Sequence, residues 1–217
     1  MLKFINNNNG VIGLTISQIG LIIATAVILA AVFSFLYFSD FKRTSELKNI
    51  ASGFSIMVEG MDTRFFENTT LYFFPDKDYS YNLSLNSEYL IVNADGSWMD
   101  NKLSVKERFL INPWPRKNNS DWVSEKELHS YLKNNYGQTG NITDPIQGST
   151  NINKIKDLLN TEFEDASYSL ALNPYYINRY KPVYISKTFI YYNTDGTGGW
   201  DKNSDENSEF ILIYQKL

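Results

Sequence analysis

Between Lys3 and Asp40 the chain has no charged side chain at any of positions 4 to 39. The apolar centre of this stretch runs from Val11 to Phe38. A bilayer core about 30 Å thick is crossed by about 20 helical residues, so the stretch is longer than a span requires. A helix of this length that is apolar all round offers water no polar face, which makes a surface helix of a globular domain a poor reading. A secretory signal has an apolar region of about 7–15 residues that ends at a small-x-small site. Here the run is longer, and Ala24-Thr25-Ala26 lies inside it. The stretch therefore reads as a membrane anchor that contacts lipid.

Small residues recur along it four apart, at Gly13 and Ser17, Gly20 and Ala24, and Ala26 and Ala30. Such pairs let helices approach closely in lipid, so Gly13, Ser17, Gly20 and Ala24 are candidate helix-packing positions. Gln18 and Thr25 either bond to a neighbouring helix or to their own backbone. The basic residues Lys42, Arg43 and Lys48 follow the span, against Lys3 and the amino terminus before it. A literal charge count favours a cytoplasmic C-terminal part, but long C-terminal domains cross largely regardless of charge. The absence of Cys and the abundance of Tyr, Asn and Ser favour an exterior location for residues 63–217.

Beyond Asp40 the apolar pattern changes period. Phe41, Leu47, Ile50, Ala51, Phe54, Met57, Val58 and Met61 recur at helical spacing, with Lys42, Arg43, Glu46, Lys48, Asn49, Ser52 and Glu59 on the other face. One nearly continuous helix is predicted from about Gly10 to about Met61, weakened but not broken at Gly53 and Gly60. Strand patterns follow at Leu71–Phe74, Tyr79–Leu85, Tyr89–Val92 and Leu103–Ile111. Ser124 and Glu127 form a capping box for a helix to about Asn134, with Gly137 just beyond its end. A second helix is predicted from Asn151 to Phe163. Strands return at Tyr168–Leu172, Pro182–Tyr192 and Phe210–Gln215. The fold class is α+β: a long N-terminal transmembrane-plus-amphipathic helix packed on a β-rich antiparallel head with a short helical insertion. The divisions are 1–10 (polar N-terminal segment), 11–38 (transmembrane helix), 39–62 (amphipathic continuation) and 63–217 (soluble head).

An uncharged Gly10-Val11-Ile12-Gly13 to Phe38 stretch, the stripe from Leu47 to Met61, and Phe74-Pro75 followed by Tyr81 to Val92 together resemble archaeal type IV pilin-like proteins, over about the first 95 residues. The resemblance implies processing between Gly10 and Val11, storage of the helix in the membrane, and assembly with sibling pilin-like subunits through that helix. Four Asn precede Gly10 where the family carries a basic residue, and Thr15 stands where it carries Glu. The implied function is a structural surface subunit of a filament or pseudopilus-like assembly. The alternatives are a single-pass anchored extracellular binding or sensing domain that does not polymerise, and an anchored carboxylate-dependent hydrolase.

The composition narrows the chemistry. With 20 basic against 24 acidic residues there is no basic footprint for nucleic acid. Without Cys there is no thiol catalysis and no thiolate metal site, and a single His excludes a His-pair site. His129 lies in a charged helix and reads as a solvated surface residue. Glu162, Glu164 and Asp165 read as a surface cluster at a helix end. No catalytic residue is predicted and no cofactor is required. Asp201, Asn203 and Asp205 have the spacing of Ca²⁺ oxygen ligands, but Glu206 and Leu212 stand where an EF-hand needs Gly and Glu. Sequons at Asn68, Asn82, Asn118 and Asn141 are possible N-glycosylation sites on an exterior head. Trp114, Trp122, Tyr175, Tyr176, Tyr180 and Trp200 lie in loop-like segments, as a recognition patch or as loop packing.

Overall fold

The computed structural model describes residues 8–97, 101–118, 120–194, 200–201 and 205–216. Helix α1 (Asn8–Asp62) is unbroken over 55 residues, about 82 Å at about 1.5 Å per residue. It has two environments. Large apolar side chains from Ile16 to Phe41 are exposed, whereas Leu47, Ile50, Ala51, Phe54, Val58 and Met61 are buried. Phe41 and Met57, expected in the packed stripe, are exposed, and Ser55 is buried in it instead. Ser55 satisfies its hydroxyl by donating to Glu59 at 3.0 Å. Gly53 has a packing role: a Cβ there would stand 3.3 Å from the Tyr72 hydroxyl, so its absence lets that ring lie close against the helix.

Among the described residues nine strands follow, in two sheets. One sheet places β1 (Asn68–Tyr72), β8 (Val183–Asn193), β9 (Glu206–Tyr214) and β5 (Trp114–Pro115) side by side, with β6 (Ile146–Gln147) also on β8. The other runs β4 (Lys102–Arg108), β3 (Tyr89–Asp95), β2 (Tyr81–Leu85), β7 (Tyr175–Ile177). Pairing is antiparallel except for two short parallel contacts, β5 with β9 and β6 with β8. The two-residue period of a strand divides the first sheet between two cores. Val183, Ile185, Ile211 and Ile213 join the α1 stripe and the second sheet's Leu83, Leu85, Leu90 and Val92. Ile190, Tyr192, Leu212 and Tyr214 face the other way. There they meet α2 (Glu125–Tyr136) and α3 (Ser149–Leu172) through Leu128, Leu132, Ile152, Ile155 and Leu159. The head is thus a helical layer, a sheet, and a second core closed by α1 and the other sheet.

Helix α2 forms where the capping pattern places it. The Ser124 hydroxyl accepts from the Glu127 N–H and the Glu127 carboxylate from the Val123 N–H. Gly137 ends it at φ 81°, donating to the Lys133 carbonyl. The segment Tyr168–Leu172, predicted as a strand, belongs to α3. The apolar series Ile152, Ile155, Leu159, Phe163, Ala166, Leu170 continues at spacings of three and four, and that helical face outweighs the strand preference of Tyr168, which stays exposed.

The end of α1 is tied down by a buried cation. Lys187 is 3% exposed, donates to the Asp62 carbonyl at 2.6 Å and pairs with Glu209 at 3.1 Å. A positive charge at a helix C-terminus is favourable because unpaired carbonyls collect there. Around Phe54, Tyr72, Phe74 and Phe109 pack at ring centroid distances of 5.1, 5.2 and 6.3 Å. Phe54→Ala is expected to lower head stability by about 3–5 kcal/mol, and Phe54→Asp to prevent native packing, as read by denaturant unfolding and near-ultraviolet circular dichroism of the detergent-solubilised chain. A native melt for Phe54→Asp would contradict the central position given to this ring. Lys187→Met is expected to cost about 1.5–3 kcal/mol in the same assay, the range for hydrogen bonds to a charged group.

Candidate functional site

Two surfaces stand apart from the packed cores. The first is the outer half of α1. It is the one helix long and apolar enough to cross a membrane among the described residues, with a window of mean hydropathy 2.7 of which none is buried. Such a helix fits a single membrane anchor. Ser17, Gly20 and Ala24 are exposed in it, and their spacing of three and four places them on one face. A Cβ added at Gly20 meets nothing within 4 Å. Thr25 donates to the Leu21 carbonyl at 2.9 Å, which settles one of its alternatives in favour of its own backbone. Gly10, Val11 and Gly13 fall in the first turns of α1, and their side-chain surroundings lie outside the described residues.

Where this exposed half meets the head, a polar clasp forms. The Asp40 carboxylate accepts from the Ser97 N–H at 2.6 Å and from the Asn101 amide at 3.3 Å. Ser39 and Ser97 share a hydroxyl contact at 3.0 Å, and Arg43 donates to the Asp95 carbonyl at 3.1 Å. The first polar residues after the apolar run therefore bind the β3 to β4 connection.

The second surface is a cleft of about 560 Å³ on the head, lined among others by Glu67, Glu125, His129 and Thr139. Glu67 stands immediately before β1. Glu125 and His129 are four residues apart on α2 and so share one face. Contrary to the sequence expectation, His129 is not a solvated surface residue: its side chain is 14% exposed. Its Nδ1 lies 2.8 Å from the Thr139 carbonyl, an acceptor only, so Nδ1 carries a proton. Its Nε2 faces Glu67 Oε1 at 3.4 Å. Both of those atoms are shut off from solvent and neither has a hydrogen-bond partner of good geometry. Glu125 accepts from the Ser186 hydroxyl at 3.0 Å, and Ser186 in turn contacts the Thr69 hydroxyl at 2.8 Å.

The charges in this cleft are coupled. Burial works against an ionised Glu67, but His129 outweighs it and holds the carboxyl below its ordinary range. Burial pushes Glu125 up, and the negative charge of Glu67 adds to the push. Burial disfavours the charged imidazole of His129, yet the adjacent Glu67 carboxylate and the Thr139 carbonyl bring it above its usual value. The Glu125-x-x-x-His129 spacing was visible in the sequence. Glu67, distant along the chain, carried no local sign of joining them.

The other candidates are dispersed. Asp205 accepts from the Thr194 N–H at 2.7 Å and the Asp201 N–H at 2.8 Å, so its carboxylate has backbone partners; Asn203 lies outside the described residues. Asn82 and Asn118 are exposed, while Asn68 and Asn141 are half-buried, and Asn141 Oδ1 holds a turn by accepting from the Thr143 and Asp144 N–H groups. Glu164 and Asp165 are exposed in the middle of α3 rather than at its end. Among the aromatics, Tyr176 and Tyr180 are exposed, Tyr175 is half-buried, and Trp200 packs on Tyr191. Trp114 and Trp122 are 1% exposed and belong to the core.

Those two indoles enclose Arg116, whose guanidinium lies 3.5 Å from the Trp122 ring centre and 4.9 Å from that of Trp114. It donates twice to the Trp122 carbonyl, at 3.0 and 2.8 Å, and once to Glu162 at 3.3 Å. Burial lowers its affinity for its proton, and Glu162 opposes that. Glu162 is thus a structural partner of a buried arginine. No family model, curated protein or solved structure matches this chain. Arg116→Ala is expected to cost about 3 kcal/mol in denaturant unfolding, because it leaves a carboxylate and a carbonyl without their buried partner. Arg116→Lys should recover only part of this, since an ammonium cannot reproduce the planar fork.

Proposed function

We propose that the chain is a pilin-like, membrane-anchored surface subunit with a structural role in a filament or pseudopilus-like assembly. The observation that carries the reading is α1 itself: one uninterrupted helix whose inner half is core of the head and whose outer half is apolar and uncovered. An apolar helix of this kind is stable in lipid, and it is equally stable against copies of itself, since sibling helices replace lipid contacts with protein contacts. The exposed face of Ser17, Gly20 and Ala24 lets backbones come close. In this reading the head stands outside the cell, where Asn82 and Asn118 are the exposed sequon positions, and the partners are membrane lipid and sibling subunits.

Gly20 separates this role from that of a solitary anchor. Nothing in the chain occupies the space next to it, so a larger side chain leaves the monomer undisturbed and acts only on what packs against the helix. Gly20→Leu is expected to abolish higher-order assembly in crosslinking of native membranes while the head melts as in the wild type. Unchanged assembly would count against helix-mediated packing. Intact mass and N-terminal sequencing of the membrane protein are expected to give a mature chain starting near Val11. A retained Met1 would favour a permanent anchor whose head binds a ligand without polymerising.

A further inference from the structure

We propose that Glu67, Glu125 and His129 bind one divalent transition-metal ion, Zn²⁺ by donor type, leaving a fourth position open to the cleft. Among the described residues this is the one set of three acidic or imidazole side chains whose donor atoms all lie within 4.8 Å of one another. Two ligands each about 2.0 Å from a tetrahedral ion are about 3.3 Å apart, and Nε2 of His129 stands 3.4 Å from Oε1 of Glu67. Those two atoms are buried and face each other without a hydrogen bond. An ion pair alone leaves both orphaned, which is costly in a buried site. A metal bound to both satisfies them together.

The surroundings are those of a built site. The Thr139 carbonyl accepts from the Nδ1–H and so leaves the Nε2 lone pair on the side of the carboxylates, the usual arrangement for a metal-bound imidazole. The Ser186 hydroxyl, itself in contact with Thr69, donates to one oxygen of Glu125 and so positions the third donor. One imidazole nitrogen with two carboxylates suits Zn²⁺ better than Ca²⁺ or Mg²⁺, which take oxygen ligands in larger number. The ion would join the α1 to β1 junction, through Glu67, to helix α2. Lys126 and Lys133 on the cleft wall favour water or a small anion as the fourth ligand. The inference is independent of whether the chain assembles.

The test is titration of the full detergent-solubilised chain, stripped with chelator, with ZnCl₂ in a calorimeter. One saturable equivalent is expected, together with a raised melting temperature and no comparable response to CaCl₂ or MgCl₂. His129→Gln and Glu125→Gln should each weaken binding by more than about 100-fold, since loss of even an outer-shell partner costs about 10- to 100-fold. Lys154→Ala, exposed on α3 and away from the cleft, should bind one equivalent. Each variant's melt in chelator is recorded first. If a Gln variant does not fold, X-ray absorption of the zinc-loaded wild type decides, with one imidazole nitrogen among oxygen donors expected. Absence of saturable binding by the folded wild type, equal response to Ca²⁺, or binding unaffected by both ligand substitutions would overturn the site.

Discussion

The rest of the structure depends on the burial of one helical stripe. Leu47, Ile50, Ala51, Phe54, Val58 and Met61 lie between the two sheets, and side chains from both meet on them. Without that stripe the second sheet, four strands of at most seven residues, has no partner for its apolar face. A small antiparallel sheet of this kind needs packing to be stable. Helix α1 is therefore not an appendage to a domain that folds without it; its inner half is a core element of the head.

The same helix has to change solvent along its length without breaking. Beyond its first turn the outer half satisfies its backbone groups within the helix, as a segment in hydrocarbon would have to, and the inner half continues the same bonding beneath the head. The transition falls where Ser39, Asp40 and Arg43 supply the first polar side chains. Their bonds to Ser97, Asn101 and Asp95 join the helix to the head at the point where its uncovered apolar surface ends. At the other end Lys187 answers the unpaired carbonyls of the last turn.

Helical periodicity and the absence of charge made α1 readable almost to its ends, and the cap residues Ser124, Glu127 and Gly137 did the same for α2. Both signals are local: they depend on side chains within a turn or two. The failures were of another kind. Tyr168–Leu172 has strand-like composition, and only the burial of Leu170 and the packing of Ala166 on the helical face make it helix. Trp114 and Trp122 look like loop aromatics until Arg116 is seen between them. Glu67, Glu125 and His129 come from two elements that the sheet brings together, so neither spacing nor composition joins all three.

Strand β8 shows how these separate features become one mechanical unit. Its alternate residues serve both cores: Ile185 and Lys187 face the α1 side, while Ser186 and Ile190 face the helical layer. Lys187 holds the end of α1 and the adjacent Ser186 holds Glu125 of α2. A strand bonded on both sides resists sliding, because a one-residue slip would exchange its two faces. Helix α1, β8 and α2 with its cleft are therefore joined by direct side-chain bonds. The head is thereby held in a set orientation on α1 by direct side-chain bonds rather than by a tether.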